Sequence, residues 1–377
     1  MNNFYYGLLL LLSISNTAFS QLAIYTLDSM ALVELYNTTN GASWKNNTNW
    51  LKTPVSSWHG VSVYANRVTK IELANNNLKG SLPSLLGELT ELTELNLSNN
   101  LIADSIPSTE LQTLQKLENL NLSNNQMYSA IPNEIMYLKK LSYFKLNNNT
   151  ISGSIPLALG NLSELVSLEL QNNQLSDPIP DTLYSLKKLN YLGLEGNQLS
   201  GQISPYINKL KNLEYIYLGN NQFSGDFPAI DSLTILKELD ISLNQFENFP
   251  DVSLLNLMGL YLSDNKFTFE DIEPNITAAS VMFLYSPQDS VKNSFQLTAN
   301  IGDTLLFIAT VKGANNIYQW YKNDTLLNGE NNDTLKIYSV GNSDEGIYTC
   351  KITNSIATDL TLKRRPIQVT VNNITSV

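Results

Sequence analysis

A phrase of about 24 residues recurs nine times through the middle of the chain. Each copy contains two apolar residues separated by one residue of any type, and an asparagine follows three positions later. The apolar triplets are Ile71-Glu72-Leu73, Leu95-Asn96-Leu97, Leu120-Asn121-Leu122, Phe144-Lys145-Leu146, Leu168-Glu169-Leu170, Leu192-Gly193-Leu194, Ile216-Tyr217-Leu218, Leu239-Asp240-Ile241 and Leu260-Tyr261-Leu262. A regular period of this length predicts a solenoid, because one coil cannot bury its own apolar face and must stack on its neighbours.

The asparagines of the phrase are 21 to 25 residues apart. They are Asn76, Asn100, Asn125, Asn149, Asn173, Asn197, Asn221, Asn244 and Asn265. Each triplet predicts a short strand whose apolar side chains enter a shared core, and the asparagine follows where the chain turns away. Because an amide both donates and accepts, a stacked column can satisfy backbone groups of successive coils. We therefore interpret these asparagines as a structural ladder and not as ligand contacts.

A proline follows seven residues after most of the asparagines, always behind an apolar residue. The pairs are Leu82-Pro83, Ile106-Pro107, Ile131-Pro132, Ile155-Pro156, Ile179-Pro180 and Phe227-Pro228. Together with glycines such as Gly80 and Gly153, the phrases resemble the plant-type leucine-rich repeat, LxxLxxLxLxxNxLxGxIP, over about residues 68 to 265. The resemblance implies a leucine-rich-repeat solenoid with a parallel β-sheet on the concave face and an irregular or 3-10 convex side.

The segment before the first coil predicts a helical cap. Asp28 can cap a helix whose apolar residues, such as Leu32 and Leu35, have helical spacing. Trp58-His59-Gly60-Val61 then resembles the W-x-G-V signature of the N-terminal cap in plant leucine-rich-repeat receptors. That family places cysteines where this chain has Ser56 and Val63, so tryptophan packing is expected to replace a disulfide. The predicted cap at the far end contains Phe267, Phe269, Ile272 and Phe283.

After Pro287 the period stops, and short alternating segments with turn residues predict an antiparallel sandwich. Trp320 resembles the buried strand-C tryptophan of immunoglobulin domains, and Tyr348, two residues before Cys350, resembles their tyrosine corner. The resemblance implies an all-β immunoglobulin-like sandwich. Ala309 stands where that family places its first cysteine, so Cys350 is expected to be a buried thiol without a disulfide partner.

The first residues predict a secretory signal peptide. The apolar run of residues 8–12 is too short to span a bilayer, and Ala18-Phe19-Ser20 places small residues before a cleavage site at Gln21. The predicted organisation is 1–20 signal peptide, 21–66 N-terminal cap, 67–286 solenoid with its C-terminal cap, and 287–372 immunoglobulin-like domain. The cysteine-free cap and this cleavage region resemble proteins of the Bacteroidetes group, which implies a bacterial source. The protein is expected to be secreted or held at the cell surface.

Charge and residue content exclude several function classes. A net charge of −11 repels phosphate backbones, so we expect no nucleic-acid partner. No stretch after residue 20 reaches the roughly 18 apolar residues of a transmembrane helix. With one histidine, one cysteine and no phosphate-binding glycine loop, nucleophile elbow or HExxH motif, we expect no enzyme, no cofactor and no metal site. Carboxylate pairs of the glycosidase type are an alternative that composition leaves open.

The residues that flank or separate each apolar pair point outward from the predicted sheet. They are small and polar in the early coils, and aromatic or charged in coils four to nine, where Gly193, Gly219 and Gly259 leave space beside them. The predicted ligand contacts are Tyr143, Lys145, Glu169, Tyr191, Glu195, Tyr215, Tyr217, Glu238, Asp240 and Tyr261. Tyrosines present an apolar ring with a polar tip, which favours recognition. The alternative is that tyrosine simply suits exposed strand positions.

Two functions follow from this organisation. In the first, the concave sheet binds a protein or peptide, or a glycan, with a preference for basic and apolar groups. In the second, the chain is a structural adhesin or spacer, and the solenoid displays the immunoglobulin-like domain.

Overall fold

The computed structural model describes the backbone of residues 16–372 and side chains from residue 26 onward. The described residues divide into two compact units, the first ending at Gly193 and the second beginning at Leu194. Most of the predicted signal peptide, residues 1–20, lies outside the described residues.

The first unit contains a long helix followed by short strands. In chain order its elements are α1 (Asn16–Thr38), β1 (Val61–Tyr64), β2 (Arg67–Glu72), β3 (Lys79–Gly80), β4 (Glu94–Asn96), β5 (Leu101–Ile102), α2 (Ser108–Leu111), β6 (Asn119–Asn121), β7 (Tyr143–Lys145), β8 (Ser152–Ser154), β9 (Ser167–Glu169), β10 (Gln174–Asp177) and β11 (Tyr191–Gly193). Short 3-10 helices cover Gly41–Ser43, Val55–Ser57, Ser84–Glu88, Asn133–Tyr137, Leu157–Asn161 and Asp181–Ser185. Four of them begin directly after a proline of the repeat, whose fixed φ suits the start of a helical turn.

The triplets of the repeat form the parallel sheet of the first unit. Its strand order is β1-β2-β4-β6-β7-β9-β11, with β1 antiparallel to β2 and the others parallel. Equivalent triplet positions are in register, as Leu95 with Leu120 and Leu120 with Phe144. These side chains are buried, which places one apolar row of each strand in the core between the sheet and the 3-10 helices.

The second unit continues the same repeat and then changes to a sandwich. The sandwich strands are antiparallel, as predicted, except that Phe295–Asn300 pairs in parallel with Leu362–Asn372. Its elements are β12 (Gln198–Gly201), β13 (Tyr215–Tyr217), β14 (Gln222–Asp226), β15 (Glu238–Asp240), β16 (Gln245–Asn248), β17 (Leu257–Tyr261), α3 (Phe269–Ile272), β18 (Ala279–Leu284), β19 (Phe295–Asn300), β20 (Leu305–Ile308), β21 (Asn316–Lys322), β22 (Thr325–Leu326), β23 (Thr334–Ile337), β24 (Gly346–Asn354) and β25 (Leu362–Asn372). Its 3-10 helices are Pro205–Lys209, Ser253–Leu255, Glu273–Asn275 and Asn342–Asp344.

Three kinds of sheet occur in the second unit. Strands β13-β15-β17-β18 are parallel and form the repeat sheet, while β12-β14-β16 form a second short parallel sheet. The sandwich consists of β19-β25-β24-β21-β22 facing the pair β20-β23. The predicted fold class, a solenoid with 3-10 turns followed by an all-β sandwich, is confirmed.

The asparagine side chains connect neighbouring coils by hydrogen bonds. The Nδ2 of Asn100 donates to the carbonyl oxygens of Leu73 and Leu97, both at 2.9 Å. Its Oδ1 accepts from the backbone N–H groups of Asn76 at 2.9 Å and Leu78 at 3.0 Å. One amide therefore satisfies backbone groups of its own coil and of the preceding coil, which an apolar side chain cannot do.

The ladder has one more member, or rung, than the nine predicted asparagines, because Gln288 makes the same kind of hydrogen bonds. Gln288 donates through Nε2 to the carbonyl oxygens of Leu262 and Tyr285, both at 2.8 Å. Its Oε1 accepts from the backbone N–H of Asn265 at 3.0 Å. The segment from Phe283 to Gln288 therefore repeats the phrase with glutamine for asparagine, and residue 288, which we assigned to the C-terminal domain, completes the solenoid.

The N-terminal cap differs from expectation at Asp28. Helix α1 runs through this residue, so Asp28 does not begin the helix. Its buried carboxylate instead pairs with Arg67 Nη2 at 2.9 Å and accepts from the backbone N–H of Val68 at 2.7 Å. Both partners of the Asp28–Arg67 pair are charged and the contact is bidentate, whereas a helix cap would offer the carboxylate only neutral N–H donors. The tryptophans pack as expected, with the ring centroids of Trp44 and Trp50 4.8 Å apart.

The sandwich core contains the residues that carried the immunoglobulin resemblance. Trp320 is fully buried and donates through Nε1 to the carbonyl oxygen of Asn332 at 2.9 Å. The Tyr348 hydroxyl donates to the carbonyl oxygen of Asp344 at 2.8 Å, which is the geometry of a tyrosine corner. Cys350 is a buried free thiol, and burial raises its pKa to about 11. A thiol held in this form is a poor nucleophile.

Candidate functional site

The predicted contacts of the first unit lie on three strands of the parallel sheet. Tyr143 on β7 is 44% exposed, while Tyr191 on β11 is half-buried. Lys145 and Glu169 are in register on β7 and β9, and Lys145 Nζ lies 2.8 Å from Glu169 Oε1. Gly193 accommodates the Tyr191 ring, because an added Cβ would lie 2.9 Å from it.

The polar groups on this face of the first unit largely satisfy one another. Lys70 pairs with Glu94 at 3.0 Å, in addition to the Lys145 and Glu169 pair. In the earlier coils, Ser98 and Ser123 donate their hydroxyls to Asn96 and Asn121, the residues two positions before them. A face neutralised in this way offers little unbalanced charge to a ligand.

The second unit carries a pair of stacked tyrosines on β13. The ring centroids of Tyr215 and Tyr217 are 6.4 Å apart with an interplanar angle of 14°. The Tyr217 hydroxyl donates to Glu238 Oε2 on β15 at 2.6 Å. Lys237 Nζ lies 5.7 Å from the centroid of the Tyr215 ring, at the side of the pair. The two rings are half-buried, so one surface of the stack is accessible.

Asp240 and Tyr261 extend this cluster onto the next strands. They are in register on β15 and β17, and both are half-buried. The glycines beside them leave room for these side chains: a Cβ on Gly219 would lie 2.9 Å from the Asp240 carboxylate, and a Cβ on Gly259 2.9 Å from the Tyr261 ring. The pKa of Tyr261 is raised by burial and then by the negative charges of Glu238 and Asp240. The cluster therefore combines aromatic surface with negative potential.

Glu195 occupies the position after the strand where other coils of the second unit carry Gly219, Ser242 and Ser263. Its side chain is half-buried. The predicted contacts are therefore distributed as two groups, four on the first unit and six on the second.

Two apolar residues on β18 were missed by sequence reasoning. Met282 and Leu284 are in register with Gly259 and Tyr261 and share their face, and they are 43% and 45% exposed. Phe283, between them, is on the core side opposite Leu260. The signal was present in the sequence, because Phe283, Tyr285 and Gln288 have the spacing of the repeat.

Other kinds of site receive no support in the described residues. No helix between residues 16 and 372 is long and apolar enough to cross a membrane. Within the same range, no three histidine, cysteine, aspartate or glutamate side chains are grouped so that they could hold a metal ion.

Both parts of the chain match known protein families. The immunoglobulin I-set domain matches residues 290–362. The leucine-rich repeat matches residues 91–114, 116–138, 140–162, 164–186 and 212–233.

Plant receptors are among the proteins that are similar to the repeat region. Phytosulfokine receptor 1 of Arabidopsis thaliana is 40% identical over 79 residues, which are 19% of this chain and 8% of that protein. The ectodomain of the Arabidopsis receptor kinase HAESA, in complex with an N-terminally extended IDA peptide hormone ligand, is 27% identical with a TM-score of 0.62, covering 74% of this chain and 47% of that one. The plant peptide hormone receptor RGFR1, in complex with RGF2, is 28% identical with a TM-score of 0.54, covering 57% of this chain and 35% of that one.

The chain thus spans less than half the length of each of these relatives. The strands, the ladder and the family matches agree with one another: the chain carries plant-type leucine-rich repeats followed by a C-terminal immunoglobulin I-set domain.

Proposed function

We propose that this is an extracellular recognition protein that binds an extended peptide, or an extended segment of a protein, on the strand face of its repeats. The observation that supports the proposal is the surface of the second unit on β13, β15, β17 and β18. Stacked tyrosines, carboxylates and exposed aliphatic side chains follow one another there on neighbouring strands. The peptide-bound plant receptors among the similar structures use the same fold.

The chemistry of this surface supports a ligand with both basic and apolar groups. A cationic side chain of the ligand can lie over the Tyr215 and Tyr217 rings while it pairs with Asp240 or Glu238. An apolar side chain can pack on Tyr261 and Leu284, which are in register on adjacent strands. Strands are about 4.8 Å apart, so four strands correspond to about 15 Å, or roughly five residues of extended peptide. The proposed ligand therefore has a basic residue and an apolar residue a few positions apart.

The proposed action is binding without catalysis, in an exported protein. The pairs of carboxylates in the cluster have structural partners, since Glu238 accepts from Tyr217 and Asp240 accepts from the backbone N–H and hydroxyl of Ser242 at 2.9 and 2.6 Å. These hydrogen bonds hold both carboxylates in place beside the tyrosine rings, which suits attraction of a cationic group of the ligand.

The test is selection of random dodecapeptides displayed on phage against the whole chain. Selected peptides are expected to contain a basic and an apolar residue and to bind wild type. The Tyr215→Ala, Tyr217→Ala double variant should lose about 2 kcal/mol of binding, which is roughly 30-fold. Tyr64→Ala with Tyr206→Ala is the matched control, because Tyr64 and Tyr206 are 78% and 49% exposed but lie outside the cluster. Equal binding by the wild type and the Tyr215 and Tyr217 variant would reject the site.

The alternative function is a structural adhesin or spacer, and one feature of the second unit supports it. Glu273, at the end of the repeats, accepts hydrogen bonds from the sandwich: Asn354 Nδ2 at 2.5 Å and the N–H groups of Ala314 and Asn315 at 3.4 Å. Gly313 packs against α3, where an added Cβ would lie 2.7 Å from Phe269 Cβ. A sandwich docked in this way suits rigid display. A peptide selection that enriches nothing over the double variant would favour this function.

A further inference from the structure

A cleft of about 500 Å³ lies between the end of the repeats and the sandwich, within the second unit. Four cationic side chains line it: Lys266 from the last repeat, Lys292 from the connecting segment, and Lys312 and Arg365 from the sandwich. This concentration of positive charge contrasts with the net charge of −11 of the whole chain. The local charge of the cleft is therefore opposite in sign to the net charge of the whole chain.

The carboxylates near these cations hold them weakly. Lys266 Nζ is 3.5 Å from Glu247, Lys312 Nζ is 3.1 Å from Glu270, and Arg365 Nη2 is 3.8 Å from Asp289. In each pair both side chains are at least 40% exposed, and exposed pairs of this kind contribute about 0–1 kcal/mol. A more highly charged anion can therefore replace the carboxylates at little cost.

Lys292 differs from the other three cations because it has no acidic partner. It is exposed, and no aspartate or glutamate between residues 26 and 372 forms an ion pair with it. Its charge is thus available to a ligand without displacement of an internal group.

A buried arginine behind the cleft adds to the positive charge. Arg364 is 5% exposed, and its Nε donates to the carbonyl oxygen of Ile308 at 3.0 Å. Its Nη1 donates to the carbonyl oxygen of Asn293 at 3.5 Å and to that of Arg365. These acceptors are neutral, and burial lowers the pKa of Arg364, a shift that the nearby Cys350 opposes. Asn293 and Arg365 both line the cleft, so the Arg364 guanidinium is hydrogen-bonded to two residues of its wall.

We propose that the cleft binds an acidic polysaccharide, with sulfate or carboxylate groups contacting Lys266, Lys292, Lys312 and Arg365. Four cations line the cleft together with two carboxylates, those of Glu247 and Asp289, which leaves an excess of two positive charges in the lining. Each lysine or arginine can donate charge-assisted hydrogen bonds to an oxyanion.

The rest of the lining favours a sugar over a peptide. The side chains of Ser290 and Asn293 can hydrogen-bond to sugar hydroxyls, and the hydroxyls of Thr268 and Thr310, which donate to Asp271 and Asp333, can accept from them. The only apolar side chains of the lining are two valines. A peptide site normally contains a pocket for an aromatic or aliphatic anchor. The cleft lacks such a pocket in the described part of the chain, and it is open to solvent, so a polymer can pass through it.

The experiment measures binding of a sulfated dextran oligosaccharide to the whole chain by calorimetry, with neutral dextran of the same length as the uncharged probe. We expect the sulfated form to bind, with an affinity that falls as salt is raised, and the neutral form to show no binding. Lys292→Gln and Lys266→Gln should each weaken binding about tenfold, the effect of one charge-assisted hydrogen bond. Asp289→Asn should strengthen binding, because it frees Arg365.

Lys336→Gln is the matched control, since Lys336 is exposed on the sandwich and does not line the cleft. The Lys336→Gln variant should bind the sulfated oligosaccharide with the affinity of wild type. An equal loss in Lys336→Gln and Lys292→Gln would show diffuse attraction and overturn the proposal. Tight binding of an oligoglutamate of equal charge would overturn the polysaccharide assignment. The assignment would also be overturned if inorganic sulfate bound the cleft with equal affinity and displaced the oligosaccharide. The Tyr215 and Tyr217 variant should bind the oligosaccharide like wild type, which separates this site from the repeat face.

Discussion

The solenoid and the sandwich satisfy their buried polar groups in different ways. In the solenoid, one amide per coil makes the same hydrogen bonds again and again, as Asn125 and Asn149 illustrate: each donates to its own coil and to the coil before it. In the sandwich, each buried polar group has its own, non-repeating set of hydrogen bonds. The Tyr348 hydroxyl donates to the carbonyl oxygen of Asp344, and the Arg364 guanidinium donates to three carbonyl oxygens. The repeated hydrogen bonds of the solenoid can be predicted from the sequence. The specific hydrogen bonds of the sandwich cannot, because they join residues that are far apart in the chain.

The largest effect is expected for removal of a rung of the ladder. Asn100→Ala leaves the buried N–H groups of Asn76 and Leu78 without an acceptor. Each unpaired group costs roughly 1–3 kcal/mol, so we expect the free energy of unfolding to fall by about 4 kcal/mol in urea titrations. The control is Asn119→Ala on the strand face, where the change should stay within about 0.5 kcal/mol. Similar losses in both variants would contradict the ladder interpretation.

A stabilising effect is expected in the sandwich from Ala309→Cys. Ala309 and Cys350 are both fully buried, and Ala309 occupies the position of the first immunoglobulin cysteine. A disulfide would close a loop of about 40 residues and stabilise the sandwich by about 3 kcal/mol, less any strain. Mass spectrometry of the oxidised variant checks the bond, and thermal melts check the gain. Two free thiols in the folded variant would show that our alignment of the strands is wrong.

The same cysteine predicts a loss of stability at alkaline pH. The pKa of Cys350 is raised by burial from 9.0 to about 11, so the unfolded state loses its proton first. Its contribution is complete below pH 9 and disappears as pH rises toward 11, with a total of about 2 kcal/mol. Urea titrations across this range should show the loss in wild type and a smaller loss in the oxidised Ala309→Cys variant, where no thiol can ionise. Tyr348, whose pKa burial raises to about 12, contributes equally to both proteins. Identical pH curves would contradict the assignment to Cys350.

The smallest effect on stability is expected at the residue directly before a ladder asparagine. The backbone there is left-handed, with φ between 53° and 56° at Asn99, Asn124, Asn148, Asn172 and Asn220. Leu243 has the same conformation, with φ of 54°, and is 50% exposed. Asparagine tolerates this region better than leucine, so Leu243→Asn should stabilise the solenoid by about 0.5–1 kcal/mol. Thermal melts would test it, with Leu254→Asn as the exposed control. An unchanged or lower melting temperature for Leu243→Asn would reject the strain argument.

The parts that sequence reasoning missed have physical explanations. Gln288 was missed because its glutamine replaces the asparagine of the repeat, although both amides offer the same donor and acceptor. Asp28 was assigned to a helix cap because a local rule fits it, but its partner Arg67 is 39 residues away. For the candidate site, sequence identified the outward column, since alternation along a strand is a local property. The stacking of Tyr215 on Tyr217 and the contact of Gly219 with Asp240 depend on rotamers and on adjacent strands.

The sequence by itself determined the period, the strands, the turns after proline and the ladder of amides, because each coil repeats the same local chemistry and contacts only its neighbours. It also determined the sandwich through Trp320 and the tyrosine corner. Only the tertiary structure decided which charged side chains form ion pairs, as Lys145 does with Glu169. It also decided which charged side chains lie in the cleft without an acidic partner among the described residues, as Lys292 does. Charge balance depends on distances between side chains from separate parts of the chain, and a linear pattern does not contain those distances.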